Sequence, residues 1–171
     1  MSNTIEILKN RRSVRKYKPD MVSKRLIAKI TEAGLYAPSG MNRQPCIILA
    51  VTDKAVRDRL SQMNASVMGS NSDPFYGAPV VLVVLADRRS PTYLYDGSLV
   101  MGNLMNAAYA EGLGSCWIHR AKQVFDSEEG KAILKSAGIE GDYEGIGNCI
   151  IGYADEAPSD KPRKSDSVYY L

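Results

Sequence analysis

The chain has 171 residues, 44% hydrophobic and 24% charged, with a formal net charge of +3. That is the composition of an ordinary globular protein, long enough for one core and without the strong cationic balance of a nucleic-acid-binding domain. Residues 1–12 lack the apolar stretch and small-residue cleavage site of a secretory signal, and the most apolar run, 79–86, is far too short to span a bilayer.

Taken in chain order, Asn3 or Thr4 caps a short first helix with Ile5 and Leu8 on one face. The polar stretch 11–19 breaks the pattern. Ser23 caps a second helix, where Leu26, Ile27, Ile30 and Ala33 recur at helical spacing, and Pro38 and Gly40 stop it. Cys46–Val51 reads as a buried strand, and Asp53 as the cap of a helix running to about Asn64 with Val56, Leu60 and Met63 inward. Residues 66–77, rich in Ser, Asn, Asp and Gly, read as a loop, and 80–86 as a strand covered on both faces. The longest helical pattern covers 92–112, with Leu99, Val100, Asn103, Leu104, Ala107 and Ala108 at spacings of three and four, and ends at Gly112 and Gly114. Ser115–Ile118 is a short strand. Asp126, Ser127, Glu128 and Glu129 resemble a capping box that opens a helix closing at Gly138. Residues 146–153 form a last core strand. From Ala154 onward proline and charge dominate until Val168, Tyr169, Tyr170 and Leu171, an apolar ending suited to docking. No internal repeat interrupts this order, so residues 1–171 are expected to form a single domain with 154–171 as an extended arm. Helices alternating with strands imply helical layers on a central sheet.

Three cysteines, Cys46, Cys116 and Cys149, are widely spaced in apolar stretches and form no CxxC pair. No metal site is expected, and buried free thiols suit a reducing cytoplasm. Four segments carry polar chemistry. In an extended stretch Arg11, Ser13 and Arg15 can point the same way, and two guanidinium forks beside a hydroxyl suit a phosphate monoester or a solvated basic turn. Residues 37–45 combine two prolines and Gly40 with Ser39, Asn42 and Gln44, whose donors and acceptors match a polar ring edge or ordinary loop chemistry. Trp117, Ile118 and His119 close a strand that can seat a planar ligand. Lys161, Pro162, Arg163 and Lys164 make a second basic turn. No Ser/His/Asp or Cys/His pairing gives the single histidine a nucleophile to activate. Glycines 145 and 147 lack the third glycine of a dinucleotide fingerprint.

Singly these segments are weak, but their order is specific. RRSVRKY near the start, APSGMNRQP after it, a central DGSLVMGNLMNAAYAEGLGSCWI and a late GYADEAPSDKPRK resemble the nitroreductase family of FMN proteins over nearly the whole chain. The resemblance implies an α+β fold, an α-β-α sandwich around a central mixed, mainly antiparallel sheet, with the C-terminal arm exchanged in a homodimer. It implies that Arg11, Ser13 and Arg15 hold the FMN phosphate and ribityl chain, Arg12 contributing backbone, and that Lys161 and Arg163 close on the same phosphate. Pro38, Ser39, Gly40 and Asn42 would reach the flavin from the neighbouring subunit, Gln44 would lie beside the ring, and Asn71 aligns loosely with a flavin contact. Trp117, Ile118 and His119 would lie along the ring, with a backbone N–H near His119 facing flavin N5. Two departures stand out. Cys46 replaces an aromatic residue frequent after the QP pair, and His119-Arg120 replaces the acidic-glycine pair of several members. The activity implied is ping-pong transfer of hydride from NADPH or NADH to a small electron-poor acceptor such as a nitroaromatic, quinone or flavin, with Arg15 as a possible charge stabiliser for reduced flavin. Neither membrane nor nucleic acid is an expected partner. A specialised flavin or enone reductase, a dehalogenase, or a flavin-binding sensor or store are the alternatives.

Overall fold

β2 (Val80–Asp87) organises the structure because its run of valines and leucines must be covered on both faces, successive side chains pointing to opposite sides. In the computed structural model, which describes residues 4–171, residues 80–86 are completely buried. β2 pairs antiparallel with β1 (Cys46–Val51) on one side and with β4 (Tyr143–Gly152) on the other, and β4 pairs antiparallel with β3 (Gly114–Ile118). The order is therefore β1-β2-β4-β3, with β1 and β3 at the edges. A parallel link enters through an isolated bridge from Ser13 to Ser115 on the β3 edge. The strand framework is thus the mainly antiparallel sheet expected.

Helices cover both faces. Val80, Leu82 and Val84 pack with α2 (Lys24–Leu35) and α4 (Tyr93–Ala110). Val81, Val83 and Leu85 pack with Leu60 of α3 (Lys54–Met68) and Val124 and Phe125 of α5 (Ala121–Asp126). α1 (Thr4–Asn10) and α6 (Glu128–Ser136) complete the helices. β4 carries a bulge opposite Val84 and Leu85. There Gly147 leaves room for Trp117, whose indole nitrogen would lie 2.7 Å from any added Cβ.

Ser23, Asp53 and Ser127 act as caps, each side-chain oxygen accepting from a first-turn backbone N–H. Three boundaries differ from the sequence expectation. α3 continues past Asn64 to Met68 and ends at left-handed Gly69, since serine and asparagine are tolerated in a helix whose other face is packed. α5 had no periodic signal because it is only a short turn of helix tied to α6. β4 begins at Tyr143, where the pairing with Asp87 and Ala86 extends the strand ahead of its apolar run. Asn3, the alternative first cap, lies outside the described residues. Residues 155–171 form no helix or strand, and no helix among the described residues is long and apolar enough to cross a membrane.

Candidate functional site

The basic N-terminal segment is held between the edge of the sheet and the start of the C-terminal arm. Val14 donates its N–H to the Ser115 carbonyl at 3.0 Å and packs against Gly114. Lys18 donates to the Tyr153 carbonyl, Tyr17 bridges to Ala154, and Asp155 donates back to the Lys16 carbonyl. Farther along, Glu156 accepts from the Arg15 N–H and Asp160 from the Arg12 guanidinium. Lys161 follows directly, its N–H on the Asp160 carboxylate. Residues from the two ends of the chain, 12–17 and 154–161, are therefore side by side. Lys161 and Arg163 are exposed on that arm.

The decisive detail is an imbalance of hydrogen bonds. Arg11 Nη1 and Arg12 Nε are buried and have no acceptor among the described residues. An unpartnered buried donor costs on the order of 1–3 kcal/mol, and more when charged. Burial pushes the Cys149 thiol up to about 12, the nearby Cys116 adds to the rise and the Arg11 charge opposes it. A buried anion with several oxygens matches these donors, so the residues present fit a phosphate group. A cleft of about 320 Å³ opens beside Arg12, lined with it by Val14, Tyr109, Gly112 and Glu156.

The loop after α2 is built on different physics. Met41, Asn42 and Gln44 have φ of 53°, 54° and 49°, a left-handed conformation that costs a non-glycine residue on the order of 1 kcal/mol or more. Asp96, 3% exposed in the first turn of α4, holds this shape by accepting from the Gly40 N–H at 3.0 Å and the Thr92 hydroxyl at 2.8 Å. Ser39 Oγ accepts from the Gln44 N–H, and Gln44 Nε2 donates to Asn42, both at 3.0 Å. A pocket of about 120 Å³ lies behind, lined by Pro38, Ser39, Gln44, Cys46 and Asp96. Burial first, then Asp96, raises the Cys46 thiol to about 11, so it is not a thiolate at neutral pH.

These two halves do not meet within one chain. The loop sits on the N-terminal turn of α4 and the basic segment beside its C-terminal end. The helix has 18 residues, about 27 Å at 1.5 Å per residue. Asn71 lines a third cleft, of about 460 Å³, with Arg57, Ser61 and Asp73.

At the end of β3, Trp117 is half-buried over Gly147, Ile118 is buried in the opposite core and His119 is exposed. The carbonyl of His119 accepts from Asn64 on α3 and Asn148 on β4. Asn64, Asn148 and Asp96 were not singled out from the sequence; a buried polar residue has no local signature distinguishing it from a solvated one.

A family model for the nitroreductase family matches residues 8–153. The chain belongs to the nitroreductase family. A nitroreductase with bound FMN from Bacteroides fragilis superposes with a TM-score of 0.90 at 25% identity, over the full length of both chains. A relative from Archaeoglobus fulgidus, provisionally named NADH dehydrogenase/NAD(P)H nitroreductase, is 32% identical over 145 residues, covering 81% of this chain and 78% of the relative. One from Methanothermobacter thermautotrophicus, under the same provisional name, is 28% identical over 124 residues, and the match spans 67% of this chain but only 60% of that relative.

Proposed function

We propose that the protein is an FMN-dependent oxidoreductase, working as a cytoplasmic homodimer, that passes hydride from NADPH or NADH to a small electron-poor acceptor. The observation that carries this reading is the pair of buried, unpartnered cationic donors on Arg11 and Arg12, in a segment flanked by the C-terminal arm. When bound, FMN supplies the redox chemistry, accepting and releasing hydride at N5. Arg11, Ser13 and Arg15 grip its phosphate and ribityl chain with the backbone and Nε of Arg12, while Lys161 and Arg163 close over them. Trp117, Ile118 and His119 carry the ring on the end of β3. Since the Ile118 side chain is buried in the core, that residue serves through its backbone. Asn71 reaches the flavin from the loop after α3. Arg15, exposed beside the arm, supplies positive charge for the reduced cofactor.

The separation along α4 supports a two-fold assembly. Pro38, Ser39, Gly40, Asn42 and Gln44 complete the site of the partner, because a two-fold pairing of α4 helices brings the loop of one protomer to the basic segment of the other. The exposed apolar side chains Leu94, Tyr95 and Leu99 of α4, with Leu8 and Met41, are the surface such a pairing covers. Residues 1–171 act as one domain, and 154–171 as an arm that starts along residues 12–18 of its own chain and whose end, Val168, Tyr169, Tyr170 and Leu171, lies across the partner.

The test is direct. Purified protein incubated with FMN and desalted is expected to retain flavin absorption, to bleach when NADPH or NADH is added anaerobically, and to give parallel-line kinetics with a quinone or nitroaromatic. Protein that retains no flavin refutes the reading. Flavin that binds but resists reduction reassigns the chain to flavin storage or sensing.

A further inference from the structure

Resting on the flavin reading above, we propose that Asn64, Asn148 and Arg120 are positioning residues that aim the backbone N–H of Arg120 at the reactive edge of the cofactor ring.

The geometry begins with one peptide group. The His119 carbonyl accepts from Asn64 Nδ2 at 2.8 Å, reaching from α3, and from Asn148 Nδ2 at 3.4 Å, reaching from β4. Asn148 also donates to the Ile118 carbonyl at 3.3 Å. Both asparagines are buried, 0% and 2% exposed, where an amide is tolerated only if it is bonded. Asn64 leaves neither end unused, since its Oδ1 accepts from Arg120 Nε at 3.0 Å.

The carbonyl of His119 and the N–H of Arg120 belong to the same planar peptide, and no peptide bond described is cis. In a trans peptide these two groups point in opposite directions. Fastening the carbonyl to α3 and β4 therefore turns the Arg120 N–H away from both, on the strand end where the ring is proposed to lie. Arg120 reinforces this orientation. Its φ of 72° is left-handed, a conformation arginine adopts only when its surroundings impose it, and the Asn64 bond tethers the side chain that follows. The strain and the two buried amides have one common product, a peptide plane of set direction. A strand end needed only for packing requires none of them.

The experiment compares Asn64→Ala, Asn148→Ala, Arg120→Gly and the Asn64→Ala/Arg120→Gly pair with wild type, all loaded with FMN. None of the three replaced side chains belongs to the proposed phosphate grip, so FMN affinity is expected to stay within about threefold. The visible band and midpoint potential of bound FMN should shift in both asparagine variants. Reduction at saturating NADPH or NADH should fall by roughly tenfold to a hundredfold with KM near wild type, as a misaimed donor predicts. Glycine adopts the left-handed conformation without support, so Arg120→Gly should be mild and should restore part of what Asn64→Ala loses. Should Asn64→Ala not fold, Asn64→Asp keeps the acceptor for Arg120, loses the donor to His119 and carries the same expectation. FMN-loaded variants with unshifted spectra and wild-type reduction overturn the inference while leaving the proposed function intact. So does a loss of rate matched by equal losses of FMN affinity and thermal stability. Wild-type protein that takes up no FMN overturns the parent reading and this one with it.

Discussion

The two ends of α4 solve different problems. Beside its C-terminal end, residues 11–17 lie in extended backbone, and their distinguishing property is charge buried without an acceptor. At its N-terminal end, residues 39–44 are hydrogen-bonded among themselves and to Asp96, and their distinguishing property is a left-handed shape. In the proposed function one end grips by electrostatics and the other presents a pre-formed surface. The difference teaches how a site divided between two protomers, as proposed, would divide its labour, ionic strength acting on one half and conformational stability on the other.

The sharpest way to break this comparison is a mixing experiment. Arg11→Ala and Gly40→Val are each expected to abolish activity, the latter because a side chain at 40 collides with Thr92. Mixed and allowed to exchange subunits, they should regain about a quarter of wild-type activity, since half the dimers are mixed and each carries one intact site. If both halves served the same chain, the mixture would stay inactive.

Arg11→Met sharpens the electrostatic half. It should weaken FMN binding about a hundredfold, two charge-assisted hydrogen bonds being worth roughly 3 kcal/mol together. Apo stability should hold or rise, because an unpaired buried donor disappears. A drop in the melting temperature of the apo protein would show that Arg11 is structural. Removing the residues after Ala154 should also lower FMN retention and weaken dimerisation, and a truncated chain that stays dimeric and fully flavinated would remove the arm from the site.

Asp96→Ala sharpens the shape half. It strands the Gly40 N–H and should cost about 2 kcal/mol in chemical unfolding. It should weaken the partner's site while leaving the salt dependence of FMN binding unchanged, whereas Arg11→Met should flatten it.

The smallest effect lies away from both ends. Burial opposes the charge of Glu144, but hydrogen bonds from Lys122, Arg88 and Tyr93 outweigh it and hold its pKa below the ordinary value. A depressed carboxylate pKa stabilises the fold above the unfolded value, near 4.3, and that contribution is lost as pH falls through the lowered native value. Glu144→Gln should cost about 1.5 kcal/mol at pH 7 and progressively less in acid, read from urea midpoints at pH 7 and pH 3. An equal cost at both would deny Glu144 a charged role.

The elements legible locally are those that a period or a breaker residue carries. β2 follows from unbroken valine and leucine, the end of α4 from Gly112, and the caps from Ser23, Asp53 and Ser127. The cationic segments announce themselves by composition. α5 has no local signature because its turn of helix is stabilised by contact with α6 and β4 rather than by its own pattern.

The amino-acid order by itself determined the strands, most helices, the family and the charged groups available to a phosphate, because periodicity, propensity and charge belong to neighbouring residues. Only the tertiary structure decided that Arg12 meets the arm, that the 39–44 loop stands a helix length from Arg11, and that Asn64, Arg120 and Asn148 share one peptide. Those proximities depend on how layers pack across dozens of intervening residues, and the left-handed backbone at Met41, Gln44 and Arg120 exists only because such contacts hold it there.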